Sequence, residues 1–152
     1  MLTLLDLASV VLLGTLSGAL FTEGTVLVPH WRSLNPAEFA RLHHGFAPRL
    51  YRFFAPLTAI TVTVAIATGI AHVATDDSRN LWPSLSAAVA AVSLLLFYGV
   101  YFKAANTRLP ATAAKDNQVE LDAELRRWQR VHHFRTAICV AAFLLATVST
   151  MN

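Results

Sequence analysis

The sequence predicts an all-α integral membrane bundle of four transmembrane helices with both termini outside, and three observations carry that prediction. Apolar residues make up 55% of the chain and charged residues 14%, with a mean hydropathy of +0.51; a soluble domain of 152 residues cannot bury that much apolar surface. Four long runs lack any charge: residues 7–22, 53–75, 80–102 and 136–152. Lys and Arg are distributed unevenly between the connections. Eleven fall in 29–52 and 103–135, against Arg79 alone between the second and third runs. The positive-inside rule then puts the two basic segments in the cytoplasm and the Asp76–Asp77 turn outside.

Each run is long enough once its flanks are counted, since about 20 helical residues cross a hydrocarbon core of about 30 Å. The first run continues past Glu23 to Val28, and Pro29 is expected to end it. It lacks a basic leader and carries Asp6, so it is expected to be retained rather than cleaved as a signal peptide. The second run follows the basic segment 29–52. The third follows Arg79, and the fourth extends backwards as a helix through 128–135. Between them, 116–130 is charged but carries Val119, Leu121, Leu125 and Trp128; it is expected to lie on the membrane surface and cover a cavity opening there. No repeat or linker divides the chain, so 1–152 is expected to be one domain.

Close helix packing is expected at small-x-x-x-small pairs: Gly14 with Gly18, Ala65 with Gly69, Ala87 with Ala91, and Ala137 with Ala141. Trp31, Trp82 and Trp128 fall at expected interfaces, where aromatic belts form. Cys139 sits in an apolar run and reads as a small buried hydrophobe. The net charge of +3 follows from the topology, with anionic lipid as its partner and no nucleic acid implied.

The polar groups are concentrated at one end. His30, His43, His44, His132, His133 and Asn106 all fall on the basic side; His72, one turn before Asp76, reads as half of a local surface pair. Glu23 should lie about 9 Å inside the end marked by Pro29, and an intramembrane acid is costly unless it faces a partner or a cavity. In the stretch WQRVHHFR, the residues Trp128, His132 and Arg135 share one helical face with Thr136 and Cys139, whereas His133 points about 100° away.

Three stretches carry a resemblance: LFTEGTVLVPHW on the first helix, NTRL from Asn106 to Leu109 closing the third, and WQRVHHFR opening the fourth. The chain resembles the anthrone-oxygenase-like family of small four-helix membrane proteins over nearly its whole length. Residue by residue, the resemblance carries Asn106, Arg108, Trp128, His132 and Arg135 into the site, with Trp128 as the plate against which a cofactor or substrate lies. It implies oxidation of a lipophilic, often aromatic or polyketide-like, substrate by molecular oxygen. Glu23, His43 and His44 rest on the residue argument alone.

Two chemistries fit. A neutral histidine can remove an acidic proton while Arg135 stabilises the anion, which then reacts with oxygen without a cofactor. Alternatively, Glu23, His43 or His44, and His132 can bind copper or iron. A non-enzymatic reading stands beside both: a membrane anchor whose histidines hold haem or a metal. The expected setting is a bacterial inner membrane, with self-association of copies as a further expectation. No C-x-x-C, H-E-x-x-H, phosphate-binding loop or Ser-His-Asp arrangement points elsewhere.

Overall fold

A computed structural model describes residues 2–75 and 78–151. Asp76 and Asp77, expected in the outer turn, lie outside the described residues, as does the side chain of Ser78. Four helical rods account for nearly all the rest: α1 (Thr3–Ser33), α2 (Pro36–Ala74), α3 (Arg79–Ala113) and α4 (Gln118–Met151), each long and apolar enough to cross a membrane. Among the described residues there is no strand. The rods pack in sequence, and α4 closes the ring against α1.

The helices are longer than the apolar runs. The 39 residues of α2 extend about 58 Å, nearly twice a hydrocarbon core, so the segment read from sequence as a basic loop is mostly helix. A capping box starts it: Asn35 Oδ1 accepts from the Glu38 amide at 2.9 Å, and Glu38 Oε2 accepts from the Asn35 amide at 3.1 Å. Likewise 116–130 does not lie flat. From Gln118 it is the first part of α4, packing Leu121, Leu125 and Trp128 inwards.

Pro29 does not end α1. The helix widens into a π-helical turn, Glu23–Leu27, before continuing to Ser33. In that turn the Val28 amide donates to Glu23 O. The Gly24 carbonyl would need the amide of residue 29, and proline has none. It accepts instead from Gln129 Nε2 of α4 at 3.2 Å. Arg32 adds a second tie, its Nε 2.9 Å from Asp122 Oδ1. A second π-helical turn, Tyr98–Phe102, interrupts α3 at the same end of the bundle.

The two halves of the bundle are packed differently. In the half near the N-terminus, small residues bring the helices together: Ala65, Ala87, Ala88, Ala91, Ala142 and Ala146 surround Leu13 and Val62. A Cβ on Gly69 would meet Leu85 Cδ2 at 3.4 Å and Ala88 Cβ at 3.7 Å, and one on Gly14 would meet the Phe143 ring at 3.1 Å. Three residues of the expected pairs stay outside this packing. Gly18 has open space beside it, and Ala137 and Ala141 are exposed because the inward face of α4 runs through Thr136, Cys139, Ala142 and Ala146. His72 is not on the surface. It is buried, with Nε2 2.9 Å from Asp6 Oδ1 on α1.

Candidate functional site

At the other end the helices enclose a cavity of about 310 Å³. Its walls are aromatic and aliphatic, with Trp31, Phe39, Phe54, Tyr98, Phe102 and Trp128 among the rings. The polar groups that reach it include Glu23, His43, Asn106 and Arg135. Both π-helical turns border it, one supplying Glu23 and the other Tyr98 and Phe102. Such turns rotate the following residues relative to an α-helix and recur at functional sites.

Arg135 occupies the centre of a polar network. Its Nη2 lies 3.1 Å from His132 Nδ1 and 3.5 Å from Glu23 Oε2, and its guanidinium carbon stands 4.2 Å from the centre of the Phe102 ring. The Nε of Arg135 is buried without a hydrogen-bond partner. Glu23 is itself buried, so the acid on α1 and the cation on α4 compensate each other in an apolar surrounding.

His132 is held behind that arginine. Its Nε2 is 2.8 Å from the Leu20 carbonyl, which can only accept, so Nε2 carries the proton; Nδ1 faces a guanidinium, which can only donate, and therefore offers its lone pair. The ring stacks on Trp128, 4.7 Å between centroids and 12° between planes, and Trp128 Nε1 donates to Asn106 Oδ1 at 2.9 Å. One connected chain thus joins α1, α4 and α3 through Leu20, His132, Arg135, Trp128 and Asn106.

Close approach of α1 makes this possible. A Cβ on Gly24 would come within 2.9 Å of His132 Cδ2 and 3.2 Å of His133 Cε1, so only glycine fits between the two histidines and the helix. His133 itself is exposed. Of that pair, His132 is turned inwards and His133 outwards, as the face shared with Trp128 and Arg135 requires.

Several expectations need correction. His132 is fully buried and does not line the cavity; with both ring nitrogens engaged, it supports Arg135 rather than meeting a substrate. Arg108 also stands apart. It lies two residues after Asn106, hence about 200° around the helix, and its side chain, 45% exposed, reaches towards Glu124 at 4.0 Å. The metal set of Glu23, His43, His44 and His132 is not assembled: among the described residues, no three His, Cys, Asp or Glu side chains lie close enough to hold an ion. Glu23 and His132 do approach, 3.7 Å from Oε2 to Nδ1, but Arg135 Nη2 is the third corner of that triangle and is directed at both atoms. His43 reaches the cavity and packs on Phe39 at 5.3 Å, whereas His44 is exposed and points elsewhere.

Sequence reasoning missed Tyr51, Tyr98 and Phe102, because apolar runs give no reason to single out their aromatics. It also placed Trp31 in an interfacial belt, although Trp31 is buried with its ring 6.0 Å from Trp128. Trp82 is exposed, as a belt residue should be.

The family model for anthrone oxygenase matches residues 47–145. That span contains Asn106, Trp128, His132 and Arg135, and leaves Glu23 and His43 outside it. No curated protein and no solved structure matches the chain. With the match covering most of its length and the connected residues inside it, the chain belongs to the anthrone oxygenase family.

Proposed function

We propose that this protein is a membrane-embedded oxygenase that takes a lipophilic, planar aromatic C–H acid from the bilayer and oxidises it with molecular oxygen. The observation that carries the reading is a buried guanidinium, with one N–H unpartnered, on the wall of an aromatic cavity. Such a wall suits a polycyclic ring system, whose faces pack against Trp, Phe and Tyr in offset or edge-on geometry. Arg135 is positioned to receive the oxygen of an enolate or phenolate, supplying charge stabilisation where water is excluded.

The chemistry runs on the substrate's own electrons. A base removes one proton from an activated CH2 flanked by aromatic rings; His43 is the titratable nitrogen on the cavity wall suited to it. The carbanion, delocalised onto the oxygen facing Arg135, transfers electrons to oxygen and becomes a hydroperoxide on taking back a proton. Loss of water leaves a ketone. One CH2 and one O2 thus give one C=O and one H2O, with no external reductant. No step is drawn through copper or iron, because the donors present do not converge as a ligand set.

Glu23 and His132 are positioning residues in this account. Glu23 compensates Arg135, and His132 fixes one Nη of the fork. Trp128 and Asn106 fix the ring against which His132 stacks. Charge asymmetry, with eleven Lys and Arg at the basic end, supports a cytoplasmic setting for that end. An impermeant thiol reagent applied to intact cells should then spare Ser33→Cys and label Ser78→Cys; the reverse pattern would invert the bundle.

The test is oxygen uptake by protein in lipid nanodiscs supplied with an anthrone. Uptake of one O2 per quinone formed is expected, and Arg135→Gln should slow it by about 10²–10³-fold. Product formation unaffected by Arg135→Gln would reject the site.

A further inference from the structure

The cavity wall is not equally sealed on all sides. From α1 and α4, the lining residues Leu16, Leu20 and Trp128 are at most 3% exposed, and Arg135 is 13% exposed. Between α3 and α4, Phe97 packs against Phe134, ring centroids 5.8 Å apart. Along α2 and α3 the same residues both line the cavity and face outwards: Tyr51 is 58% exposed, Leu95 44% and Tyr98 37%.

This seam is open because of how the two helices are built. They lie in close contact around Gly69, Leu85 and Ala88. Towards the basic end each carries a break in its regular hydrogen bonding, Pro56 and Pro48 in α2 and the π-helical turn Tyr98–Phe102 in α3. The cavity begins beside these breaks. Tyr51 and Tyr98 face each other across the gap, with ring centroids 6.4 Å apart. Arg52 and Lys103 mark the polar edge on the two helices. Tyr98 precedes Lys103 by five residues, about 8 Å along the helix axis, so its ring stands inside the hydrocarbon; Tyr51, next to Arg52, stands at the polar edge itself, and Thr58 and Leu95 stand deeper.

We infer that the α2–α3 seam is a lateral entrance through which the substrate passes from the bilayer leaflet, and that Tyr51 and Tyr98 set the width of ring system admitted. The proposal rests on the functional reading above for its substrate class. It adds the route and the two specificity-determining residues. Tyrosine suits the position: its ring lies in the apolar layer while its hydroxyl meets the headgroup edge, and two such rings can swing apart around an incoming planar molecule.

Entry can be measured without oxidation. Trp31 and Trp128 line the cavity and are buried, so a brominated arene quenches them on contact only after entering. Trp82, which is exposed, is first removed as Trp82→Phe. Tyr51→Cys and Tyr98→Cys are added in that background; Cys139 is fully buried and stays out of reach of thiol reagents. The protein in nanodiscs is mixed with vesicles carrying 9,10-dibromoanthracene, before and after bridging by a short bis-methanethiosulfonate. The bridge should slow quenching by at least about tenfold, as expected when a gating step is blocked, and reduction should restore the rate. In a separate variant, Tyr51→Ala should admit a brominated four-ring arene that the parent excludes. Equal rates with and without the bridge would overturn the entrance while leaving the cavity reading intact. Absence of quenching in the unbridged protein would reject the cavity as an arene site, and the entrance with it.

Discussion

An acid on α1 meets a histidine at both ends of the bundle, and the two meetings differ in kind. Near the N-terminus, Asp6 and His72 approach to 2.9 Å between helices held by alanine and glycine, and neither lines the central cavity. Towards the basic end, Glu23 and His132 are 3.7 Å apart with an arginine bridging them, beside a cavity of about 310 Å³. The first arrangement is an acid–histidine contact away from the cavity. The second holds a cation whose Nε is buried without a hydrogen-bond partner, beside open volume that a ligand can fill. A buried acid–histidine contact alone therefore says little about function; the added cation and open volume carry the inference.

The largest effect that would break this comparison is at Arg135. Arg135→Gln should lower turnover by about 10²–10³-fold, the loss that follows removal of one donor to a developing oxyanion. Arg135→Lys should be nearly as damaging, because a lysine cannot contact Glu23, His132 and a substrate oxygen together. Steady-state oxygen uptake measures both.

Next comes Glu23→Gln. The amide can still accept from Arg135, so the fold should survive, but the guanidinium loses its counter-charge; breaking a buried pair costs about 3–5 kcal/mol where no partner remains, and less here. Turnover should fall more than detergent melting temperature does. The matched change at the other end, Asp6→Asn, should cost about 1 kcal/mol of stability, one net hydrogen bond, and leave turnover at the parent level. Parallel losses of activity in the two variants would erase the distinction between the ends.

Smaller effects sharpen the local geometry. His132→Ala removes the acceptor for Arg135 and the donor to Leu20, and should cost about 1–3 kcal/mol through the unsatisfied groups left behind, together with activity. His133→Ala should stay within about 0.5 kcal/mol, as exposed substitutions do. Gly24→Ala forces a Cβ against both rings and should cost about 1–3 kcal/mol by overpacking. Gly18→Ala meets nothing within 4 Å and should be neutral or slightly stabilising, which thermal melts would show.

Much of this contrast was legible in the sequence. Uncharged run length and charge asymmetry identify four membrane helices because bilayer thickness imposes them. The spacing of Trp128, His132 and Arg135 places them on one face, and the structure keeps them there. The helix ends were not legible. Pro29 stops an ordinary α-helix, but a π-helical turn and a Gln129 side chain supply the missing hydrogen bond across 105 residues of sequence. Local rules contain no such distant donor. Arg108 entered through its motif, whereas helical geometry turns it away from Asn106. His43 and His44 were equivalent in sequence until the long α2 placed one of them on the cavity wall. The burial of His72 was missed for a similar reason, since its contact Asp6 is distant in sequence and adjacent only once α1 and α2 are packed.

The most direct test of the central claim is the ionisation of a bound ligand. A lipophilic anthracenol, whose neutral and anionic forms absorb at different wavelengths, can be titrated in nanodiscs containing the parent protein, Asp6→Asn or Arg135→Gln. The account predicts that the bound ligand ionises at lower pH than in empty nanodiscs for the parent and for Asp6→Asn, and that Arg135→Gln removes this shift. A shift that persists in Arg135→Gln would contradict the assignment of Arg135 as the group that stabilises the substrate anion.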